Sequence, residues 1–270
     1  MSDLLSLLRA GKKPVVGMVQ LAALAGGSRY RDARIDDVLG SALAEAEILA
    51  SNGIDALMIQ NLGDVPVDTH VTTVQAAWMT RVTAEIRQRY GKPVGLNMLE
   101  NDAEAMMAVA SASGADFVRI KIYVGAMLTP FGIESSQAFA AIRARTSWRA
   151  DAVAIFADVH DRTGNPLVAG TLEDDLDAAV RLGAADGLVL TGKTYPQTHE
   201  LIAIARRVVG SVPIMVGGGV TADNIGDLVG VADGTIVSSS LKGTGTVFGR
   251  FDPGKVTSFM AAARGARPSF

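Results

Sequence analysis

The sequence contains no cysteine, which excludes disulfides, thiolate nucleophiles and cysteine-ligated zinc. Histidine is scarce too, with three residues in the whole chain, so imidazole chemistry has few positions to occupy. No apolar run approaches the ~18 uncharged residues of a membrane span. Charge of neither sign dominates: 25 basic against 28 acidic side chains leave a net −3. The pI near 5.6 argues against a nucleic-acid surface, which is normally basic. The first residues, MSDLLSLLRAGKKP, have leucines at helical spacing but carry Asp3 and Arg9 and lack a small-residue cleavage site. They read as a short helical extension over residues 1–13, not as a secretory signal. A cytoplasmic protein with no nucleic-acid partner and no membrane span is expected.

What the chain does have is an apolar share of 49% in 270 residues, suited to one large core, and a (β/α)8 barrel of ~250 residues is a single closed unit. Strand-like and helix-like runs alternate along the whole length, the pattern of a parallel sheet with helical crossovers. Strands are predicted at Pro14–Gln20, Ala56–Asn61, Val94–Leu99, Phe117–Ile122, Val153–Val159, Gly187–Thr191, Ile214–Gly217 and Thr235–Ser238. Amphipathic helices are expected at Asp36–Ser51, Val71–Tyr90, Ala103–Ala112, Ser135–Trp148, Leu172–Leu182, Gln197–Val209, Ala222–Val229 and Pro253–Ala263. Gly53, Gly91, Gly114 and Gly183 stand where helices end. The fold class is therefore α/β, a (β/α)8 TIM barrel forming one domain over residues 1–270. Its long connections Leu21–Ile35, Tyr123–Glu134 and His160–Thr171 lie on the catalytic face, where they suggest a lid.

The last two strands run into GGGVT at Gly217–Thr221 and SSSLK at Ser238–Lys242. Glycine lets a backbone approach a ligand, and amides at a helix start can hold a phosphate. Turns after strands seven and eight are the usual phosphate site of this fold. Gly218, Gly219, Ser238, Ser239 and Ser240 are the predicted phosphate-binding residues. Against this, Thr221 could cap the next helix with its own hydroxyl, and Asp223 already compensates the helix dipole.

The polar residues closing the other strands are the candidate chemistry. Gln20, Asn61, Asn97, Arg119, Thr191 and Gly192 are expected to bind substrate, and Lys121, Asp158, His160 and Glu100 to be catalytic. Strand alternation points Arg119 and Lys121 one way, and likewise Asp158 and His160. Lys121 could be a Schiff-base nucleophile or a fixed cation over an enolate or phosphate. Asp158 and His160 could move protons or ligate a divalent metal, with Glu100 or Asp64 as a third ligand. Ion pairing in a polar layer is the plain alternative for all of them. His70 and His199 read as solvated, and no cofactor is called for.

Several runs resemble one family. VVGMVQLAALAGGSRY, DALMIQNLGDVP, VGLNMLENDAEAMMAVASASGADFVRIKI, IFADVH, PIMVGGGVTADNI and ADGTIVSSSLK occur in the order and spacing of the BtpA/SgcQ family, from Pro14 to Met260. The resemblance implies a fold similar to phosphate-binding barrels. One branch of that family is named for photosystem I biogenesis, and another accompanies carbohydrate uptake and metabolism genes. It also implies site roles for Asn61, Asn97, Asp158, His160, Gly218, Ser239 and Ser240. Gln20 stands where the family's M-V-H-L motif has histidine, and Lys121 stands where many relatives have asparagine. The expected function is an enzyme of lyase, aldolase or isomerase type acting on a sugar phosphate or nucleoside-derived phosphate, as a homo-oligomer. The alternatives are a non-enzymatic assembly or stability factor and a prenyl-diphosphate transferase, which needs an apolar channel and Mg2+.

Overall fold

A computed structural model describes residues 3–167 and 170–267. Eight parallel strands close into a barrel in the order β1-β11-β10-β9-β7-β4-β3-β2. They are β1 (Val15–Gln20), β2 (Ala56–Gln60), β3 (Val94–Asn97), β4 (Phe117–Ile120), β7 (Ala154–Asp158), β9 (Gly187–Leu190), β10 (Ile214–Gly217) and β11 (Gly234–Val237). The helices are α1 (Leu4–Arg9), α2 (Ile35–Ser51), α3 (Thr73–Tyr90), α4 (Ala103–Ser113), α5 (Ala138–Ser147), α6 (Leu172–Asp177), α7 (Tyr195–Val209), α8 (Ile225–Val231) and α9 (Pro253–Ala266). β1 and β10 end where the apolar runs suggest, and the other six strands end one or two residues earlier.

The period-two pattern divides each strand between two cores. Val16, Met18, Ala56, Met58, Phe117, Phe156, Val189, Met215 and Ile236 fill the interior. Val19, Leu57, Ile59, Val118, Ile120 and Ile155 face the helices. The aromatic rings of Phe117 and Phe156 meet edge to face at 5.7 Å across the interior. Gly95 makes room for the first of them: a Cβ there would lie 2.3 Å from the Phe117 ring. Leu4 and Leu8 of α1 join this inner cluster, so the N-terminal helix closes the end of the barrel where the strands begin.

That same end carries a fourfold device absent from the sequence expectations. Asp55, Asp116, Asp186 and Asp233 each immediately precede a strand, and each accepts the N–H of a residue starting the neighbouring strand. The donors are Val15 at 2.8 Å, Val94 at 2.8 Å, Ile155 at 2.9 Å and Ile214 at 2.8 Å. Each aspartate also meets an arginine from the outer layer: Arg267, Arg87, Arg145 and Arg206 respectively. One carboxylate thus ties two strands and a helix together at the foot of each quarter of the barrel.

Two of the long connections are not irregular. β5 (Ala126–Thr129) and β6 (Gly132–Ser135) form a hairpin, and β8 (Asn165–Pro166) adds to it, giving a three-stranded sheet β6-β5-β8 beside the barrel mouth. The hairpin turns at Pro130 and Phe131. The expected helix Leu172–Leu182 is α6 followed by one π-turn over Ala178–Leu182. Gly53, Gly91 and Gly114 do adopt positive φ after their helices, whereas at the fourth expected stop Ala184, not Gly183, carries it. No helix of the described residues is long and apolar enough to cross a membrane.

A charge-accepting hydrogen bond contributes about 1.5–3 kcal/mol. Asp186→Ala is therefore expected to lower unfolding free energy by about 2 kcal/mol in urea titrations, whereas Leu182→Ala, at an 84% exposed position, stays within ~0.5 kcal/mol. Equal effects would refute a role for the aspartates as strand anchors.

Candidate active site

The floor of the mouth is a row of neutral amides. Register places Gln20 of β1 beside Gln60 of β2, and Gln60 beside Asn97 of β3. Ser238 donates its hydroxyl to Gln20 at 2.8 Å, Gln20 donates to Gln60 at 3.3 Å, and Gln60 donates to Asn97 at 2.7 Å. Asn97 then donates to the Arg119 carbonyl at 2.9 Å. The chain of donors fixes each amide's orientation. Gln60 is the residue the sequence expectation missed; strand two was assigned Asn61 instead. The signal was parity, since Ala56 and Met58 face the interior and so must Gln60.

Asn61 points the other way. Its amide donates to Glu100 at 2.8 Å and to Asp64 at 3.0 Å, and Gln75 of α3 donates to the same two carboxylates at 2.9 Å. Asp64 also accepts the Leu24 amide at 2.7 Å. This closed, buried cluster pins the loop after β1 to α3. Glu100 is 2% exposed and engaged there, so the structure does not bring it to the cavity beside Lys121, contrary to the catalytic expectation. Burial raises the pKa of both Glu100 and Asp64, offset in part by these hydrogen bonds.

Above the amide row lie two ion pairs. Arg119 grips Asp158 through Nε at 2.8 Å and Nη2 at 2.6 Å. Burial pushes the Asp158 carboxyl up to about 6, although Arg119 pulls it down. Lys121 donates to Thr163 at 2.9 Å and lies 3.4 Å from Asp161. Asp161 is buried, which alone would raise its pKa, but Lys121 and Arg119 outweigh this and hold it at about 2. Alternation holds for the two cations but fails for the D-x-H pair. β7 stops at Asp158, and His160 has φ 52° and turns outward, so its Nε2 sits 2.7 Å from Asp175 near α6. Asp158, His160 and Glu100 or Asp64 therefore do not converge as ligands. Among the described residues no three histidine, aspartate or glutamate side chains are grouped to hold a metal.

The turns after the neighbouring strands β10 and β11 lie side by side at the mouth. Gly218 has φ 131° and Gly219 φ 69°. The amides of Gly219 and Val220 have no acceptor among the described residues, and neither do those of Ser239 and Ser240, which open a single 3-10 turn. The Ser240 hydroxyl is buried with no hydrogen-bond partner. Thr221 does not cap α8 with its hydroxyl; Asn224 does the local work, accepting the Thr221 amide at 2.8 Å and donating to the Gly219 carbonyl at 2.9 Å. Two expected ligand contacts are already committed: Thr191 donates to the Gly217 carbonyl at 2.8 Å, and the Gly192 amide donates to Thr198 at 3.1 Å. Arg162, from the loop after β7, was not anticipated. A Cβ at Gly218 would lie 3.0 Å from its Nη2, and it makes no hydrogen bond or ion pair among the described residues.

Two cavities meet at these groups. One, of about 350 Å3, lies over Gly218–Thr221 and Ser238–Ser240. The other, of about 390 Å3, holds Gln60, Lys121, Asp161 and, from the β5-β6 hairpin, Phe131 and Glu134. Gln20, Arg119, Arg162, Gly217 and Val247 line both, so they form one mouth with a backbone-rich end and a side-chain-rich end.

Solved barrels of this shape include tryptophan synthase from Mycobacterium tuberculosis, with a TM-score of 0.62 at 16% identity over 100% of both chains. N-(5'-phosphoribosyl)anthranilate isomerase from Pyrococcus furiosus gives 0.57 at 15% identity, covering 94% of this chain and 99% of that one. At such identities these show the fold alone. The sequence itself is 33% identical to the photosystem I biogenesis protein BtpA of Synechocystis, over 92% of this chain and 87% of that protein. It is 34% identical to an uncharacterized protein of Thermococcus kodakarensis, over 87% and 89%. The BtpA family model matches residues 11–265, and the chain belongs to the BtpA family.

Proposed function

We propose that this barrel is a cytoplasmic enzyme acting on a small phosphorylated metabolite, by carbonyl or enolate chemistry of the lyase, aldolase or isomerase type. The observation that carries the proposal is the set of four unengaged amides on two adjacent turns, with the buried Ser240 hydroxyl among them and Arg162 beside them. Leaving polar groups unpaired costs about 1–3 kcal/mol each when buried, and a phosphate supplies acceptor oxygens for several at once. Of the solved barrels compared above, the Pyrococcus furiosus isomerase is named for a phosphoribosyl compound.

With the phosphate so placed, the rest of a small ligand extends over Arg119 and Lys121. Lys121, 20% exposed and held by Asp161 and Thr163, is positioned to stabilise a developing oxyanion. Asp158, with both oxygens on Arg119, serves to fix that guanidinium toward the cavity. His160 with Asp175 lines a separate pocket on the other side of Lys121 and Asp158, so Lys121 is the side chain of this group that faces the ligand. Phosphate binding supplies position and the strand-four side chains supply chemistry. Exposed Phe139 on the outer layer supports association into a homo-oligomer.

A second reading, an assembly factor, rests on the name of the Synechocystis relative. The two are separated by a thermal-shift screen with inorganic phosphate and sugar phosphates, since a ligand at a hundredfold excess over Kd stabilises by ~2.7 kcal/mol. A shift in Tm that is lost in Ser239→Asp is expected; no shift with any phosphate ester favours the assembly factor. The Lys121 pair has its own signature. Because the folded pKa of Asp161 is depressed to about 2, its stabilisation is present above about pH 4 and is lost as pH falls through 2. Asp161→Asn is thus expected to cost roughly 2 kcal/mol at pH 7, with the gap to wild type narrowing below pH 4 in urea titrations. A gap that stays constant with pH would show that the pair contributes nothing.

A further inference from the structure

The charges that line the mouth are unequally satisfied. Arg119 is neutralised by Asp158 and Lys121 by Asp161, and Gln20, Gln60 and Asn101 are uncharged. Arg162 and Glu134 are left, and neither makes a hydrogen bond or ion pair among the described residues. Arg162 stands at the phosphate turns. Glu134 hangs from the lid hairpin at the far end of the larger cavity. Its direction is set by the hairpin: it pairs across strands with Met127, which is 6% exposed, while the next pair, Leu128 and Ile133, are 50% and 66% exposed. Glu134 therefore faces inward. The loop after β2 brings His70 and Asp68 toward it.

A mouth with one spare cation at one end and one spare carboxylate at the other is polarised. An anionic group is favoured over Gly218 and Ser239 and disfavoured under the lid. A carboxylate is acceptor-only and pairs well with two hydroxyls of a neutral body, and the amides of the floor accept and donate to the same kind of group. A second phosphate or a carboxylate at that end would face Glu134 with no unpaired cation to offset it. Resting on the phosphate reading above, we propose that the site selects the monophosphate ester of a neutral polyhydroxyl compound, and that Glu134 is the residue that rejects a second anionic group.

Isothermal titration of the full chain with inorganic phosphate, glucose 6-phosphate and 6-phosphogluconate tests this, because the two organic probes share a six-carbon skeleton and differ by a carboxylate at the end away from the phosphate. Glucose 6-phosphate is expected to bind more tightly than inorganic phosphate and at least tenfold more tightly than 6-phosphogluconate. Glu134→Gln should leave inorganic phosphate affinity unchanged and bring the two organic probes within about threefold. The proposal is overturned if 6-phosphogluconate binds wild type as tightly as the sugar, if neither organic probe exceeds inorganic phosphate, or if the ratio is unchanged in Glu134→Gln. No binding of inorganic phosphate at all overturns the phosphate reading itself, and this selectivity with it.

Discussion

Strand register is the constraint on which the site depends. A slip of one residue would exchange the inner and outer faces of a strand and carry every site residue with it. Here register is held at the foot of the barrel, where four aspartates each bind the first amides of a neighbouring strand and an arginine from the helical layer. The groups at the mouth inherit their directions from these anchors several residues below. Gln20, Gln60 and Asn97 fall into one row because Val16 is paired with Ala56 and Leu57 with Val94.

From that foot the interior changes character in steps. α1 and the inner apolar side chains form a dry plug. A layer of amides follows, in which every hydrogen bond has a stated donor and acceptor, so polarity enters without net charge. Only above it do ions appear, and they appear in pairs, since an unpaired charge at that depth carries a large desolvation cost. Asp158 shows the balance: burial lifts its pKa to about 6 even with a guanidinium held against both oxygens. Unpaired groups occur last, at the open rim, as backbone amides, Arg162 and Glu134. The gradient from apolar to paired to unpaired leaves hydrogen-bonding capacity where a ligand can use it.

Much of this was legible in the chain. Eight apolar runs separated by amphipathic segments specify the barrel, and the two late polar turns mark where amides face the mouth. Arg119 and Lys121 follow from alternation. The residues that differ from expectation do so for separate local reasons. Asn61 is polar but of the wrong parity, and it serves a buried cluster with Asp64, Gln75 and Glu100. His160 has the right parity but follows a strand that has already ended, and a positive φ turns it to Asp175. Arg162 and Glu134 lie in long connections, where no period exists to assign a direction. The recurrence of Asp before alternate strands, in GID, GAD, GAAD and GVAD, is a sequence signal of the anchors at the foot of the barrel.

The sequence by itself determined the fold class, the number of barrel strands, the placement of the two polar turns after the last strands and membership of the BtpA family, because periodicity and ordered motifs are properties of neighbouring residues. Tertiary structure alone decided which polar residues share the cavity. That outcome depends on where each strand leaves the ladder, on the hairpin that brings Glu134 over the mouth, and on contacts between residues distant in sequence, such as Gln20 with Ser238 and Arg162 with Gly218. Such pairs carry no local pattern; closure of the barrel brings them together.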